Sequence, residues 1–120
     1  MSELKENIIQ EKSYKFGLRI VKLYLYLKEN QNEYELSKQL VRSGTSIGAN
    51  VEEAIGAISK KEFIAKLQVS YKEARETKYW IKLLRDSQIL EVKISVSLLE
   101  DIEELIRILR AILMRSKSES

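Results

Sequence analysis

The sequence predicts an all-α fold, an antiparallel up-down-up-down four-helix bundle that forms a single domain over residues 1–120. Apolar residues recur at intervals of three and four along nearly the whole chain, which is the spacing of one face of an α-helix. Proline is absent and only four glycines occur, so the residues that usually punctuate short strands and tight hairpins are scarce. Three short polar stretches separate four long periodic segments, and short turns of that kind join the helices of a bundle.

The first helix is expected from about Leu4 to Glu29, and it carries apolar residues on two faces. One stripe, interpreted as the buried one, consists of Phe16, Ile20, Leu23 and Leu27. The other stripe lies nearly opposite at 100° per residue and consists of Tyr14, Leu18, Val21 and Leu25. A surface helix of a monomeric bundle needs one apolar face, so the second stripe indicates either a central helix or a contact with another subunit.

The second helix is expected from about Tyr34 to Ile58, and its middle, RSGTSIGAN at 42–50, is rich in small residues. Its inward positions are Ser37, Leu40, Gly44, Ile47, Val51, Ala54 and Ile58. Gly44 and Gly48 share a face, and a glycine costs about 1 kcal/mol against alanine inside a helix. We therefore expect a neighbouring helix to approach closely at these two glycines. The alternative is a break at Ser43 and Gly44, with a loop before a shorter helix.

The third helix has the clearest start, because Ser59 and Glu62 match the S-x-x-E capping box. It is expected to run to about Ser87, with an inward stripe of Phe63, Leu67, Ala74, Ile81 and Leu84. Three further apolar residues project to a different side, namely Val69, Trp80 and Leu83. Tryptophan is enriched at subunit interfaces, so these three residues join the second stripe of the first helix as candidate oligomer contacts.

The fourth helix is expected to begin at Glu91 or Ser95 and to end at about Arg115. Its inward residues are Leu98, Ile102, Leu105, Leu109 and Ile112. Acidic side chains lie in its first half and arginines in its second half, an order that suits the helix macrodipole. The polar tail at 116–120 is expected to fray.

The composition argues against catalysis and metal binding. The chain has no histidine and no cysteine, so it lacks the commonest general base and metal ligand as well as disulfides and thiolate zinc sites. Neither a phosphate-binding glycine loop nor a nucleophile elbow occurs in the sequence. Four glutamates near the middle of the bundle are interpreted as solvated or salt-bridged: Glu52, Glu53, Glu73 and Glu76. We expect no enzymatic activity, no cofactor and no metal.

The positive charge is concentrated in one segment. The chain has a formal net charge of +3, whereas residues 59–86 carry eight basic and four acidic side chains. Four of these cations fall on one narrow strip of the third helix, namely Arg75, Lys78, Lys82 and Arg85. Together with the nearby Lys72 they are the candidate nucleic-acid-binding residues. Tyr71 lies beside them, and a basic strip with an aromatic neighbour suits a phosphate backbone. The alternative is that these side chains are solvated or paired with acids such as Glu76 and Asp86.

Membrane insertion is not expected. No apolar run approaches the roughly 18–20 residues that cross a bilayer. The opening segment MSELKENIIQEK contains acids and lacks the apolar region of a signal peptide. We therefore expect a cytoplasmic protein with no membrane partner.

Three strings carry a resemblance to a known family: EKSYKFGLRIVKLYLYL (11–27), LSKQLVRSGTSIGANVEEAIGAISKKEFIAKL (36–67) and KEARETKYWIKLL (72–84). They closely resemble the four-helix-bundle family of 23S ribosomal RNA intervening-sequence proteins, and the likeness covers about residues 7–113. The resemblance implies a bacterial homopentamer with a central channel, and some members are encoded inside inserts in ribosomal RNA genes. A related branch comprises accessory proteins of diversity-generating retroelements, which are basic pentamers that bind nucleic acid and associate with a reverse transcriptase.

The residues and the resemblance together give two functional hypotheses. The first is a non-enzymatic binding module that assembles into a ring-like homo-oligomer and binds RNA or a ribonucleoprotein through the basic strip of the third helix. The second is a structural oligomer that scaffolds a protein partner, such as a reverse transcriptase. A net charge of +3 is lower than the retroelement branch leads one to expect, and the sequence motif is more similar to the intervening-sequence branch.

Overall fold

The computed structural model describes the backbone of residues 3–119 and the side chains of residues 7–119. That part of the chain contains no strand and four α-helices: α1 Glu3–Asn30, α2 Glu35–Ile55, α3 Lys60–Asp86 and α4 Val92–Ser118. Both α1 and α3 pack against α2 and α4, so α1 and α3 occupy one diagonal of the arrangement. The helices form a bundle, and the expected all-α four-helix fold is confirmed.

The core draws its buried side chains from all four helices. Each helix contributes an isoleucine with no exposed surface: Ile20, Ile47, Ile81 and Ile102. Removing a side chain of this size from water stabilises the fold by about 1.5–3 kcal/mol. The expected inward stripes of α1, α3 and α4 lie in this core, although Phe63 of α3 is only partly buried.

α2 is continuous through its small-residue middle, so the break considered at Ser43 and Gly44 does not occur. Buried hydroxyl groups link this part of α2 to α3. Ser70 Oγ donates to the Ile47 carbonyl at 2.8 Å, and a 2.9 Å hydrogen bond joins the hydroxyls of Thr77 and Ser43. Since buried polar groups need hydrogen-bond partners, these two contacts determine the axial position of α2 relative to α3.

The starts of α3 and α4 agree with the sequence. The Ser59 hydroxyl accepts a hydrogen bond from the Glu62 N–H at 3.1 Å, which confirms the capping box. α4 begins at Val92 with Glu91 as its N-cap residue, in agreement with the earlier of the two expected starts.

The end of α2 differs from the expectation, because the helix stops at Ile55 rather than at Ile58. Gly56 is the C-cap residue, and its N–H donates to the Glu52 carbonyl at 3.1 Å. The expectation that Ile58 points inward is wrong, since its side chain is 95% exposed. It lies beyond the helix end, directly before the N-cap residue of α3.

Fraying of residues 116–120 stays a prediction, while the last helix reaches beyond its expected end at about Arg115. α4 continues to Ser118. The last turn is held against α3, where Lys117 Nζ donates to Gln68 Oε1 at 3.0 Å. The final residue of the chain lies outside the described part.

Candidate functional site

The exposed side of α3 carries the cations that the sequence singles out. The rotation of this helix is fixed by its buried face, on which Ala74 and Ile81 have no exposed surface. Side chains three, four and seven residues apart share a helix face. Lys72, Arg75 and Lys82 therefore form one exposed strip, in which Arg75 and Lys82 lie about 100° around the helix from that buried face.

The structure divides the five expected cations into two groups. Lys78 pairs with Glu103 of α4, and Arg85 Nε donates to Asp86 Oδ1 at 2.8 Å. The other three cations of the strip make no ion pair with any side chain in residues 7–119. Pairing with acids, the alternative considered above, therefore applies to two of the five positions.

A groove of about 290 Å³ lies between α3 and α4 beside the strip. It is lined by Arg75, Lys78, Tyr79, Lys82, Glu103 and Ile106. The hydrogen bond from Lys78 lowers the pKa of the Glu103 carboxyl, partial burial opposes this, and the charges of Lys78, Arg107 and Lys82 lower the pKa further. Glu103 is therefore an ionised acid inside a mainly cationic groove at neutral pH.

Sequence reasoning misses two residues of this surface, Tyr79 and Arg107. Tyr79 follows Arg75 by four residues and precedes Lys82 by three, so helical spacing alone could have placed it in the strip. Its side chain is 56% exposed, whereas Tyr71, the aromatic neighbour suggested by the sequence, is partly buried against the core. Arg107 of α4 does not line the groove and affects it through its charge, which acts on Glu103; no sequence spacing relates it to α3.

Trp80 lies on the flank of α3 that faces α2. Its ring packs partly against the core, and its Nε1 donates to Glu76 Oε2 at 3.1 Å. Glu76 in turn pairs with Arg42 of α2. The rings of Tyr79 and Trp80 meet edge to face, with centroids 5.1 Å apart and planes at 70°. These contacts connect the exposed tyrosine to a fixed polar network.

The second apolar stripe of α1 is exposed along its length. The exposed fractions are 66% at Tyr14, 45% at Leu18, 38% at Val21 and 51% at Leu25. A groove of about 320 Å³ lies between this stripe and α2. Besides the stripe, the groove is lined by small residues of α1 and α2: Gly17, Thr45, Gly48 and Ala49.

The candidate contacts of α3 lie on the other side of α2. Val69 and Leu83 are exposed, while Trp80 is half-buried. Val69 and Leu83 are seven residues before and after Glu76, so all three share the flank that meets Arg42. The two sets of candidate oligomer contacts therefore flank α2, and its outer surface lies between them.

Gly44 and Gly48 lie where α1 approaches α2. A Cβ added at Gly44 would lie 2.9 Å from Cγ2 of Ile20, a residue that is fully buried. A Cβ added at Gly48 would lie 3.3 Å from the backbone carbonyl oxygen of Ser13. Any larger residue at position 44 therefore forces the two helices apart or displaces the Ile20 side chain.

Membrane-spanning helices and metal-binding clusters are both absent from the described residues. No helix in this part of the chain has the length and apolar character needed to cross a membrane. Within the same residues, no group of three acidic side chains has an arrangement that could hold a metal ion.

Comparison with known proteins gives a family and a fold. Residues 5–111 match the family described as 23S rRNA-intervening sequence protein. The chain is also similar to the crystal structure of a protein with unknown function from the S23 ribosomal protein family of Bacteroides thetaiotaomicron, with a TM-score of 0.90 and 43% sequence identity. The similarity covers 92% of this chain and 98% of that chain. No curated protein matches the chain.

The family match spans the three strings on which the sequence resemblance rests, and the solved structure shares the four-helix fold over nearly its whole length. The resemblance is confirmed: the chain belongs to the family of 23S rRNA-intervening sequence proteins.

Proposed function

We propose that this protein is a non-enzymatic, self-associating cytoplasmic module that binds RNA or a ribonucleoprotein through the exposed cations of α3. The observation that carries the proposal is the strip of Lys72, Arg75 and Lys82, which no acid of residues 7–119 neutralises in an ion pair. A phosphate backbone suits such a strip, because cations that contact phosphates release condensed counterions.

Three cations in one subunit give weak binding, so the proposal includes self-association. A ring-like homopentamer, the assembly that the family resemblance implies, repeats the strip once per subunit and lets weak contacts add. Within each subunit, every helix runs antiparallel to the helix that precedes it in the sequence. Contacts in opposite order along neighbouring helices support this topology: Arg19 meets Asp101 at 2.6 Å, while Lys12 meets Glu104 at 3.3 Å.

The exposed stripe of α1 supports self-association. A monomer leaves its apolar side chains in water, and contiguous exposed apolar patches mark interaction sites. Gly17, inside α1, adds a second reason. Nothing lies within 4 Å of the position that its Cβ would occupy, so packing within the subunit does not account for a residue that weakens the helix. A side chain of a second copy in the adjacent groove accounts for it.

The mass of the protein in solution tests self-association. We expect the parent to have a multiple of the 14.0 kDa chain mass in light scattering after gel filtration at micromolar concentration. Leu18→Glu introduces a charge on the apolar stripe and should lower that mass. Val96→Glu on α4 is the matched control, since Val96 is 47% exposed and lies outside the stripe. A parent protein that elutes as a stable 14.0 kDa monomer contradicts self-association.

Filter binding to a structured RNA tests the strip. The variant changes Arg75 and Lys82 to glutamate and keeps Lys78, because removing Lys78 would also leave Glu103 unpaired. We expect severe weakening with unchanged helix content and mass. The three phosphate contacts of one subunit should make the affinity of the parent fall roughly twenty- to fortyfold between about 50 and about 200 mM salt, and contacts from further subunits of the ring should make the fall steeper.

The matched control changes Lys22 and Lys93 to glutamate, which alters the net charge by the same amount. Both side chains are exposed, and neither makes an ion pair within residues 7–119. Retention of RNA by this control, together with loss in the strip variant, supports the proposal. Equal retention by parent and strip variant, or no retention of either at low salt, ends the RNA interpretation.

A scaffold for a protein partner, such as a reverse transcriptase, is the second candidate. The groove between α1 and α2 favours it, because its apolar lining suits a partner helix as well as a second copy. Failure of RNA binding at low salt combined with an intact oligomer would make this the leading function.

A further inference from the structure

We infer that Tyr79 is a base-stacking platform and that the groove between α3 and α4 prefers single-stranded RNA to duplex RNA. The inference rests on the proposed RNA binding and adds the class of RNA that the strip accepts. It arises from a residue that the charge pattern does not include.

Tyr79 lies between the exposed cations. Arg75 and Lys82 are seven residues apart on one helix, which is about 10 Å along its axis, and the tyrosine lies between them in the lining of the same groove. An aromatic ring flanked by two cations is the arrangement in which a base stacks while the neighbouring phosphates are held.

The tyrosine is held in place without being buried. More than half of its side-chain surface is exposed, and its hydroxyl makes no hydrogen bond within residues 7–119. Its ring is instead braced by the half-buried Trp80, which Glu76 and Arg42 fix in turn. A braced and exposed ring loses little conformational freedom when a ligand stacks on it.

The charges of the groove divide it between phosphates and a base. Arg75 and Lys82 attract phosphates, whereas Lys78 and Glu103 pair with each other and leave the part of the groove that they line without net charge. An uncharged base is suited to that part. In a duplex the bases are paired and stacked inside the helix, and an unpaired strand presents them to aromatic side chains. The cations alone give no such preference, so it depends on Tyr79.

The test compares a single-stranded uridine oligomer with an RNA duplex of the same length in filter-binding titrations. Tyr79→Ala should weaken single-strand binding about five- to a hundredfold, the range for one stacked base, and leave duplex binding unchanged. Tyr79→Phe keeps the ring and should bind within about twofold of the parent. Tyr26→Ala is the control, since Tyr26 is 51% exposed on α1, away from the groove.

Trp80 gives a second readout that needs no substitution. It is the chain's single tryptophan, and its ring contacts the ring of Tyr79. Stacking of a base on the tyrosine should change the tryptophan fluorescence on addition of the single strand and not on addition of the duplex. The change should be lost in Tyr79→Ala.

The outcomes separate this inference from the proposed function. If Tyr79→Ala binds the single strand like the parent while the Arg75 and Lys82 double variant does not, the strip binds phosphates and the stacking role is wrong. Equal parent affinity for single strand and duplex, or loss of binding in Tyr79→Phe, also overturns stacking. If the parent binds neither RNA at low salt, the proposed function itself fails, and an acidic protein becomes the ligand to consider for the strip.

Discussion

The helix pair α1–α2 and the helix pair α3–α4 make their contacts with different kinds of residue. α1 approaches α2 at two glycines, and the space for a Cβ at Gly44 is already occupied by Ile20. Between α3 and α4 lie the partly buried side chain of Ile106 and the ion pair of Lys78 with Glu103. Close backbone approach determines the first contact, while larger and charged side chains determine the second.

The outer surfaces of the two pairs differ in the same way. The surface beside α1 and α2 is apolar and lined by small residues, whereas the surface between α3 and α4 is rich in charge. The free energy falls when another protein covers apolar surface. Burying a cation raises the free energy unless an anion is buried with it. In the proposed function, one bundle contacts a second copy through the first surface and an anionic ligand through the other.

Gly44→Leu tests the close contact and should have the largest effect. The added side chain meets Ile20, which is fully buried. Overpacking of this kind forces backbone shifts, so the free energy of unfolding should fall by about 2 kcal/mol or more, or assembly should be abolished. Urea unfolding followed by circular dichroism, at a fixed protomer concentration, measures the change.

Gly17→Ala is the control for the same pair of helices. A Cβ at Gly17 meets nothing of its own subunit within 4 Å, so in the Leu18→Glu background, which removes self-association, the substitution should raise the free energy of unfolding by up to about 1 kcal/mol through helix propensity. If Gly44→Leu melts and assembles like the parent, the contact between α1 and α2 does not depend on glycine, and the contrast with α3–α4 disappears.

Much of this fold follows from the sequence because helix periodicity reports burial directly. The expected inward residues of α1, such as Phe16 and Leu27, are buried, and the capping box at Ser59 sets the start of α3. The error at Ile58 has a local cause. Gly56 ends α2 by capping it, and a 3–4 repeat that continues past a helix end no longer marks a buried face.

The site is less predictable, because pairing between helices depends on their relative axial position. Helical spacing places Arg75 and Lys82 on one face, but it does not indicate that Glu103 lies opposite Lys78. These two residues are 25 positions apart in the chain. Periodicity gives the rotation of each helix about its axis but not its position along that axis. The sequence alone therefore does not distinguish the cations of α3 that pair with an acid from those that do not.

Glu103→Gln tests how far this acid weakens RNA binding at the groove between α3 and α4. Removing one negative charge at about 5–10 Å from a phosphate in water should tighten RNA binding about two- to fourfold at neutral pH. Glu100→Gln is the matched control on the same helix, since Glu100 is exposed and makes no ion pair within residues 7–119. Equal gains in both variants would mean that net charge matters and the position of Glu103 does not.

The same variant has a pH dependence whose sign follows from the lowered pKa of Glu103. A carboxyl with a lowered pKa stabilises the fold at pH values above its ordinary value of about 4.3, and this stabilisation is lost as the pH falls through the folded-state pKa. Glu103→Gln should therefore be less stable than the parent at pH 7, by under about 1 kcal/mol for such a partly exposed pair. The difference should vanish in acid. A deficit that persists there would point to lost packing.

The turns that join α1 to α2 and α3 to α4 differ in the residue that adopts a left-handed backbone conformation. The turn between α1 and α2 contains Asn32 with a φ of 52°, and the turn between α3 and α4 contains Gln88 with a φ of 65°. Both lie in the left-handed region, which asparagine tolerates far better than glutamine. The N–H of Gln88 donates to the Arg85 carbonyl at 3.0 Å, and glycine would keep this hydrogen bond.

Gln88→Gly should therefore stabilise the protein, by about 0.5–1 kcal/mol. The left-handed conformation costs a side-chain-bearing residue roughly 1–2 kcal/mol, and the greater freedom of glycine in the unfolded chain takes back about 0.5–1 kcal/mol. Asn32→Gly is the matched control and should change the free energy of unfolding by only a few tenths of a kcal/mol, because less strain is relieved. Paired urea titrations measure both. Equal gains at the two turns would mean that the strain depends on the turn geometry alone, and a loss at Gln88 would mean that its side chain makes a stabilising contact in solution.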